Sequence, residues 1–110
     1  MKKYKVYITD YAEKDIKEIY DYIFYNDSES NADRIINLIY NKCNTLSLFP
    51  GRGRIVPELY DLGLYSYRQI EIKVYRIIYH AEEKNVFIDF VLDERRNLKD
   101  LLIERISKFE

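Results

Sequence analysis

Tryptophan is absent from this 110-residue chain; cysteine and histidine occur once each, proline twice and glycine three times. A single cysteine, Cys43, excludes an internal disulfide and any zinc site built from several cysteines, which fits a reducing cytoplasm. Neither a metal nor an organic cofactor is expected. No run approaches the roughly eighteen consecutive apolar residues of a membrane span, and no apolar leader follows the basic start Met1-Lys2-Lys3-Tyr4-Lys5. A soluble, unexported protein with no membrane partner is therefore expected. All glycines and prolines fall within residues 50–63, so little interrupts helices and strands elsewhere.

The length suits one domain spanning residues 1–110, able to bury its own core without metal or disulfide staples. The net charge of −1 conceals a segregation: residues 10–33 carry eight acids against two bases, and residues 34–80 seven bases against three acids. With a pI near 5.9 the chain lacks the broad basic surface of a typical nucleic-acid binder, and any such contact is expected to be focal.

Lys3 to Thr9 alternates apolar and polar, the pattern of a short half-buried strand. Asp10, with Glu13 three residues on, predicts a helix N-terminus, and Ala12, Ile16, Ile19, Tyr20 and Ile23 carry helical spacing to about Tyr25. Ser30 with Asp33 predicts a second start, followed by the stripe Ala32, Ile35, Ile36, Ile39, Cys43 and Leu46 and a stop at Phe49-Pro50-Gly51. Two such helices make an antiparallel hairpin whose apolar side needs a sheet to cover it. Residues 51–65 read as a loop; within it Arg52-Gly53-Arg54 is a possible phosphate-binding turn, with a solvated loop the commoner outcome. A strand from Tyr67 with Arg68, Ile70 and Ile72 on one side, a tight turn near Lys73, Val74–His80, a turn at Glu82-Glu83-Lys84-Asn85, and Val86–Leu92 predict a three-stranded meander. Leu98, Leu101, Leu102 and Ile106 predict a terminal helix over 97–107. The Cys43 thiol and most of the twelve tyrosines fall in core stripes.

In this order the chain resembles the RelE/ParE superfamily of toxins from bacterial type II toxin–antitoxin modules. The likeness rests on Ala12-Glu13-Lys14-Asp15-Ile16-Lys17-Glu18-Ile19, on Leu48-Phe49-Pro50-Gly51-Arg52-Gly53-Arg54, and on Tyr75-Arg76-Ile77-Ile78-Tyr79 with Val91-Leu92-Asp93-Glu94-Arg95-Arg96-Asn97-Leu98. It implies an α+β fold: a twisted antiparallel four-stranded sheet, an N-terminal helix hairpin on one face, and a C-terminal helix near the sheet edge. It also implies a growth-inhibiting toxin neutralised by a cognate antitoxin, with DNA reached only through that antitoxin. RelE-like members cut mRNA on the ribosome, whereas ParE-like members inhibit DNA gyrase, and a shared fold does not choose between them.

Carried over position by position, Arg68 falls where RelE-like nucleases place a sheet lysine, Arg76 where they place a sheet arginine, and Arg95 where they place the arginine after the last strand. Ile70 stands in place of a second sheet lysine and Leu101 in place of a terminal-helix tyrosine; neither can transfer a proton. His80 is a weak substitute acid or base, and Asp93 and Glu94 read as ion-pair partners of Arg95 and Arg96. Arg76, in an otherwise apolar strand, is equally explained by a structural pair with Asp89. The incomplete proton-transfer set and the acidic pI favour the ParE-like reading; a ribosome-dependent, metal-independent mRNA endonuclease and a non-toxic antitoxin-binding protein are the alternatives. Under each, an acidic antitoxin segment is expected on Arg68, Lys73, Arg76, Arg95 and Arg96.

Overall fold

Two tight turns fix the centre of the structure, a computed structural model that describes residues 3–107. Lys73 and Glu83 each take a positive φ of 55°, closing two-residue connections between β3 (Arg68–Ile72) and β4 (Tyr75–Glu82) and between β4 and β5 (Asn85–Asp93). The hairpin registers follow, with Ile72 opposite Tyr75 and Glu82 opposite Asn85. The register shifts once: Ile78 faces Phe90 while Tyr79 faces Ile88, so Asp89 is the extra residue of a β-bulge.

The α+β class is as expected, and the sheet gains a strand. β1 (Lys5–Ile8) joins the free side of β5 in parallel, and β2 (Arg54–Ile55) pairs antiparallel with β3, giving the order β1-β5-β4-β3-β2. The sheet therefore has five strands and is mixed, not four and antiparallel. β2 is two residues long, too short for an alternation signal, and no tight turn joins β1 to β5 to dictate their relative direction.

α1 (Asp10–Asn26) and α2 (Glu29–Asn44) form the hairpin. Their caps lie slightly earlier than expected. Thr9, not Asp10, caps α1: its hydroxyl accepts from the Ala12 N–H (3.3 Å) and donates to the Ile88 carbonyl (2.8 Å), so one side chain both starts the helix and ties it to β5. Ser28, not Ser30, caps α2 by accepting from Asn31 N–H at 3.0 Å. α2 ends at Asn44 in a 3-10 turn, Thr45–Ser47, that buries Leu46, before Pro50 is reached.

Strand alternation divides the core in two. On the helix side Ala12, Ile16, Ile39, Cys43 and Leu46 pack on Ile77, Tyr79, Val86, Ile88 and Val91. On the other face Ile78, Phe90 and Leu92 are covered by Val56 and Leu59, beside and within a short helix α3 (Pro57–Tyr60), and by Leu98 and Leu101 of α4 (Leu98–Ser107). The terminal helix thus covers the sheet's second face as well as reaching its β5 edge; that face is also apolar, and each fully buried aliphatic side chain gains about 1.5–3 kcal/mol. Burial pushes the Cys43 thiol up to about 12, so it is a packing residue. Among the described residues no helix is long and apolar enough to cross a membrane.

Two buried polar arrangements lock these layers. β1 ends at Ile8, leaving the second half of β5 without a strand on that side; Asp15 of α1 accepts there from the Val91 N–H (3.0 Å), and Arg105 of α4 donates to the Asp89 carbonyl (2.7 Å). Asp15 and Arg105 also bond to each other, with the guanidinium over the Phe90 ring at 4.3 Å. Elsewhere the core-facing Tyr79 hydroxyl accepts from the Gly53 N–H (3.0 Å) and donates to the Pro50 carbonyl (2.6 Å). A Cβ on Gly53 would lie 2.5 Å from that hydroxyl oxygen and 2.8 Å from the Gln69 carbonyl oxygen. Gly53→Ala is accordingly expected to cost about 1–3 kcal/mol, the range for overfilling a packed site, read as a lower urea midpoint at unchanged m-value.

Candidate functional site

The helical spacing of Asp15, Glu18, Ile19 and Tyr22 aims one ridge of α1 at the outer ends of β4 and β5. Between that ridge and Val74, Tyr75, Leu92, Asp93, Arg95 and Arg96 lies a cavity of about 590 Å³. A second depression of about 390 Å³ continues it toward Arg34 and Lys73, and Tyr22, Val74 and Tyr75 line both. The result is one furrow with an apolar floor, Tyr22 standing 65% exposed at its middle. Cations occupy its rims: Arg95 and Arg96 at one end, Lys73 and Arg34 at the other.

The rim acids are already partnered. Arg95 donates through Nε and Nη2 to the two carboxylate oxygens of Asp93, both at 2.9 Å, and its backbone N–H adds a third bond at 2.9 Å. These bonds hold the Asp93 carboxyl below the usual range. Arg96 approaches Glu18 at 3.8 Å. Such exposed pairs contribute little to stability and leave the guanidinium groups open to a better partner.

Of the five cations expected to bind a partner, the fold gathers Lys73, Arg95 and Arg96 on this furrow and places Arg68 and Arg76 elsewhere. Arg68 lies opposite Tyr79 on the helix side of the sheet, where it donates to the Gly53 carbonyl at 2.8 Å. Arg76 points to the opposite face, 9% exposed. There it forms a fork to both oxygens of Glu58 (2.7 and 2.9 Å) and bonds Gln69 Oε1 through Nη2 (2.6 Å) and Nε (3.2 Å). The expected Arg76–Asp89 pair does not form: Arg76 lies opposite Leu92 and is taken by Glu58 and Gln69, whereas Asp89 lies further along the strand beside His80 and meets its Nδ1 at 2.5 Å.

Arg68, Arg76 and Arg95 thus do not converge. Ile70 and Leu101 are each 6% exposed and belong to the two different cores. His80 packs between Phe87 and Tyr67, with Nε2 3.4 Å from Glu82, and joins none of the three arginines. Metal-free RNA cleavage needs a base, an acid and cations around one phosphate, and among the described residues Arg68, Arg76, Arg95 and His80 are not gathered in that way. Among the described residues there is also no group of three or more His, Cys, Asp or Glu able to hold a metal.

The Arg76 fork has a pH consequence. Its hydrogen bonds hold the Glu58 carboxyl below the ordinary value of 4.5 despite partial burial. A carboxylate whose folded pKa is depressed lends stability that is present above the unfolded value and is lost as pH falls through the folded one. Acid unfolding of the native protein should therefore begin below about pH 4.5, and a Glu58→Gln variant should lose Glu58's share of that limb of its melting-temperature profile.

Glu58 and Gln69 escape a reading by local pattern, since their partner Arg76 lies 18 and 7 residues away. Tyr22 escapes because it sits off the buried stripe of α1.

A family model described as the ParE toxin of type II toxin–antitoxin systems, parDE, matches residues 6–98. Among solved structures, the chromosomal ParDE TA system from P. aeruginosa is similar at a TM-score of 0.68 and 16% identity, over 82% of this chain and 95% of that one. The toxin–antitoxin complex RelBE2 from Mycobacterium tuberculosis is similar at 0.62 and 20% identity, over 83% and 98%. At these identities the likeness is one of fold. None of the curated proteins matches the chain.

Proposed function

The chain belongs to the ParE toxin family of type II toxin–antitoxin systems, and from that premise we propose that it stops growth by binding DNA gyrase and is held inactive by a cognate antitoxin. The observation that carries the choice of a binding toxin over a nuclease is the separation of Arg68, Arg76 and Arg95. Strand alternation puts the first two on opposite faces of the sheet, and Arg76 is committed to Glu58 and Gln69. With Ile70 and Leu101 buried, the positions that would transfer protons in a RelE-like enzyme are core.

The antitoxin's seat in this reading is the furrow beside α1. Its floor of Ile19, Tyr22, Val74 and Tyr75 suits the apolar stripe of an amphipathic helix, and Lys73, Arg95 and Arg96 suit carboxylates flanking that stripe. Inducing the protein without its antitoxin, then examining plasmid topology and transcripts in the same cells, tests the target. Loss of supercoiling or cleaved chromosomal DNA with intact mRNA is expected. Transcript cuts that need translating ribosomes would overturn the gyrase reading, and normal growth at high expression would overturn toxicity altogether.

A further inference from the structure

Arg52-Gly53-Arg54 lies outside the furrow, and no role described above uses its two arginines. With Lys42 of α2 they line a shallow depression of about 380 Å³ at the β2 edge of the sheet, completed by Gln69, Ile70 and Glu71. Glu71 is the one acid there, against three cations. The loop is held at its centre. Gly53 donates to the Tyr79 hydroxyl, its carbonyl accepts from Arg68 at 2.8 Å, and no side chain fits at that position. Its arginines are anchored as well: Arg52 Nη2 donates to Thr45 Oγ1 at 2.6 Å, and Arg54 is bonded to Glu71. A guanidinium has five N–H donors, so each keeps several for a ligand.

We propose that this loop binds the phosphate backbone of a single-stranded nucleic acid, a contact beyond the expectation that DNA is reached only through the antitoxin. Fixed arginine forks with a neighbouring lysine suit tetrahedral phosphate oxygens. A protein segment gains affinity chiefly by burying apolar surface, and Ile70 is the one apolar side chain lining the depression. A nucleic-acid backbone gains affinity by charge neutralisation and needs no apolar floor. Phe49, 60% exposed and joined to Arg52 by a backbone turn bond of 3.3 Å, offers a ring to an unpaired base, which selects a single strand over a duplex.

The test uses the 110-residue protein free of antitoxin and a fluorescently labelled short single-stranded oligodeoxynucleotide, followed by anisotropy from low to physiological salt. Three phosphate contacts predict a log–log salt slope of about −2. Arg52→Gln with Arg54→Gln should lower affinity about tenfold or more and bring the slope to about −0.7. Phe49→Ala should lower affinity several-fold at unchanged slope. Lys14→Gln with Lys99→Gln, an equal loss of charge elsewhere, should change neither. Of the five substituted sites, all but Phe49 are charged surface positions, and a thermal melt of each variant confirms that the fold is retained. Absence of binding at low salt, equal loss in the Lys14/Lys99 variant, or an unchanged affinity in Phe49→Ala overturns the proposal. So does polyglutamate displacing the oligonucleotide at equal charge, which would assign the loop to an acidic protein. Because gyrase is not in the assay, failure here and failure of the gyrase reading are separate results.

Discussion

Replacing Asp15 with alanine should cost the fold roughly 3–5 kcal/mol, measured as the difference in urea unfolding free energy at neutral pH. Asp15 and Arg105 are 6% and 8% exposed, and their ion pair closes the open half of the β5 edge. Removing the carboxylate leaves a buried guanidinium without its counter-charge and the Val91 N–H without its acceptor. Total stability of a domain this size is of the same order as a few such losses, so the variant should be only marginally folded. Replacing both residues, Asp15→Leu with Arg105→Met, should be less damaging than the single change, because no lone charge is then buried. A single-variant cost under about 1 kcal/mol would mean that water reaches Arg105 in the native state.

The same carboxylate responds to pH in the opposite sense to Glu58. Burial raises the Asp15 pKa above its ordinary 3.8, outweighing the pull of Arg105. A native state that holds a proton more tightly than the unfolded chain is stabilised below the unfolded pKa, and that contribution fades as pH rises through the folded value. The acid limb of the stability profile is therefore a sum of opposed terms. Glu58 and Asp93, both held below their ordinary values, supply parts that rise with pH.

The meander was legible from residues 67 to 92 because it is local: alternation marks the strands, and short polar turns set their registers. The helix hairpin was legible from its stripes, with errors of one or two residues where Thr9 and Ser28 outcompete neighbouring caps. β2 and the parallel entry of β1 were not, since both depend on contacts distant in sequence. The buried ion pair did leave a trace. Asp15 falls between Ala12 and Ile19 on the apolar stripe of α1, and Arg105 continues the stripe of Leu98 and Leu101 on α4; a charge within a buried stripe demands an opposite one. Arg76 made the same demand, but its partners are Glu58 and Gln69, whereas Asp89 sits three positions from Leu92, the residue opposite Arg76, and bonds His80. The candidate site, which depended on three arginines sharing a side, was less legible than the fold, because the β3–β4 register that puts Arg68 and Arg76 on opposite faces is a pairing between strands and not a property of either one.

Truncating Tyr22 to alanine should weaken the antitoxin's hold by about 30-fold or more, the effect of losing roughly 2 kcal/mol at an aromatic anchor. Tyr22 stands where the two depressions of the furrow meet, so its ring can be buried on both sides by a seated helix. At 65% exposure it contributes little to the toxin's own core, and a circular dichroism melt should be nearly unchanged. Arg95→Gln and Arg96→Gln should act differently. These rim charges steer approach, so their loss should slow association, and the deficit should shrink as salt screens it. Titration calorimetry of the purified pair separates the two classes, and co-expression gives the cellular readout: Tyr22→Ala should escape neutralisation at antitoxin levels that silence the native protein. An unchanged affinity in Tyr22→Ala would move the antitoxin off this furrow, leaving the exposed tyrosine to be explained by another partner.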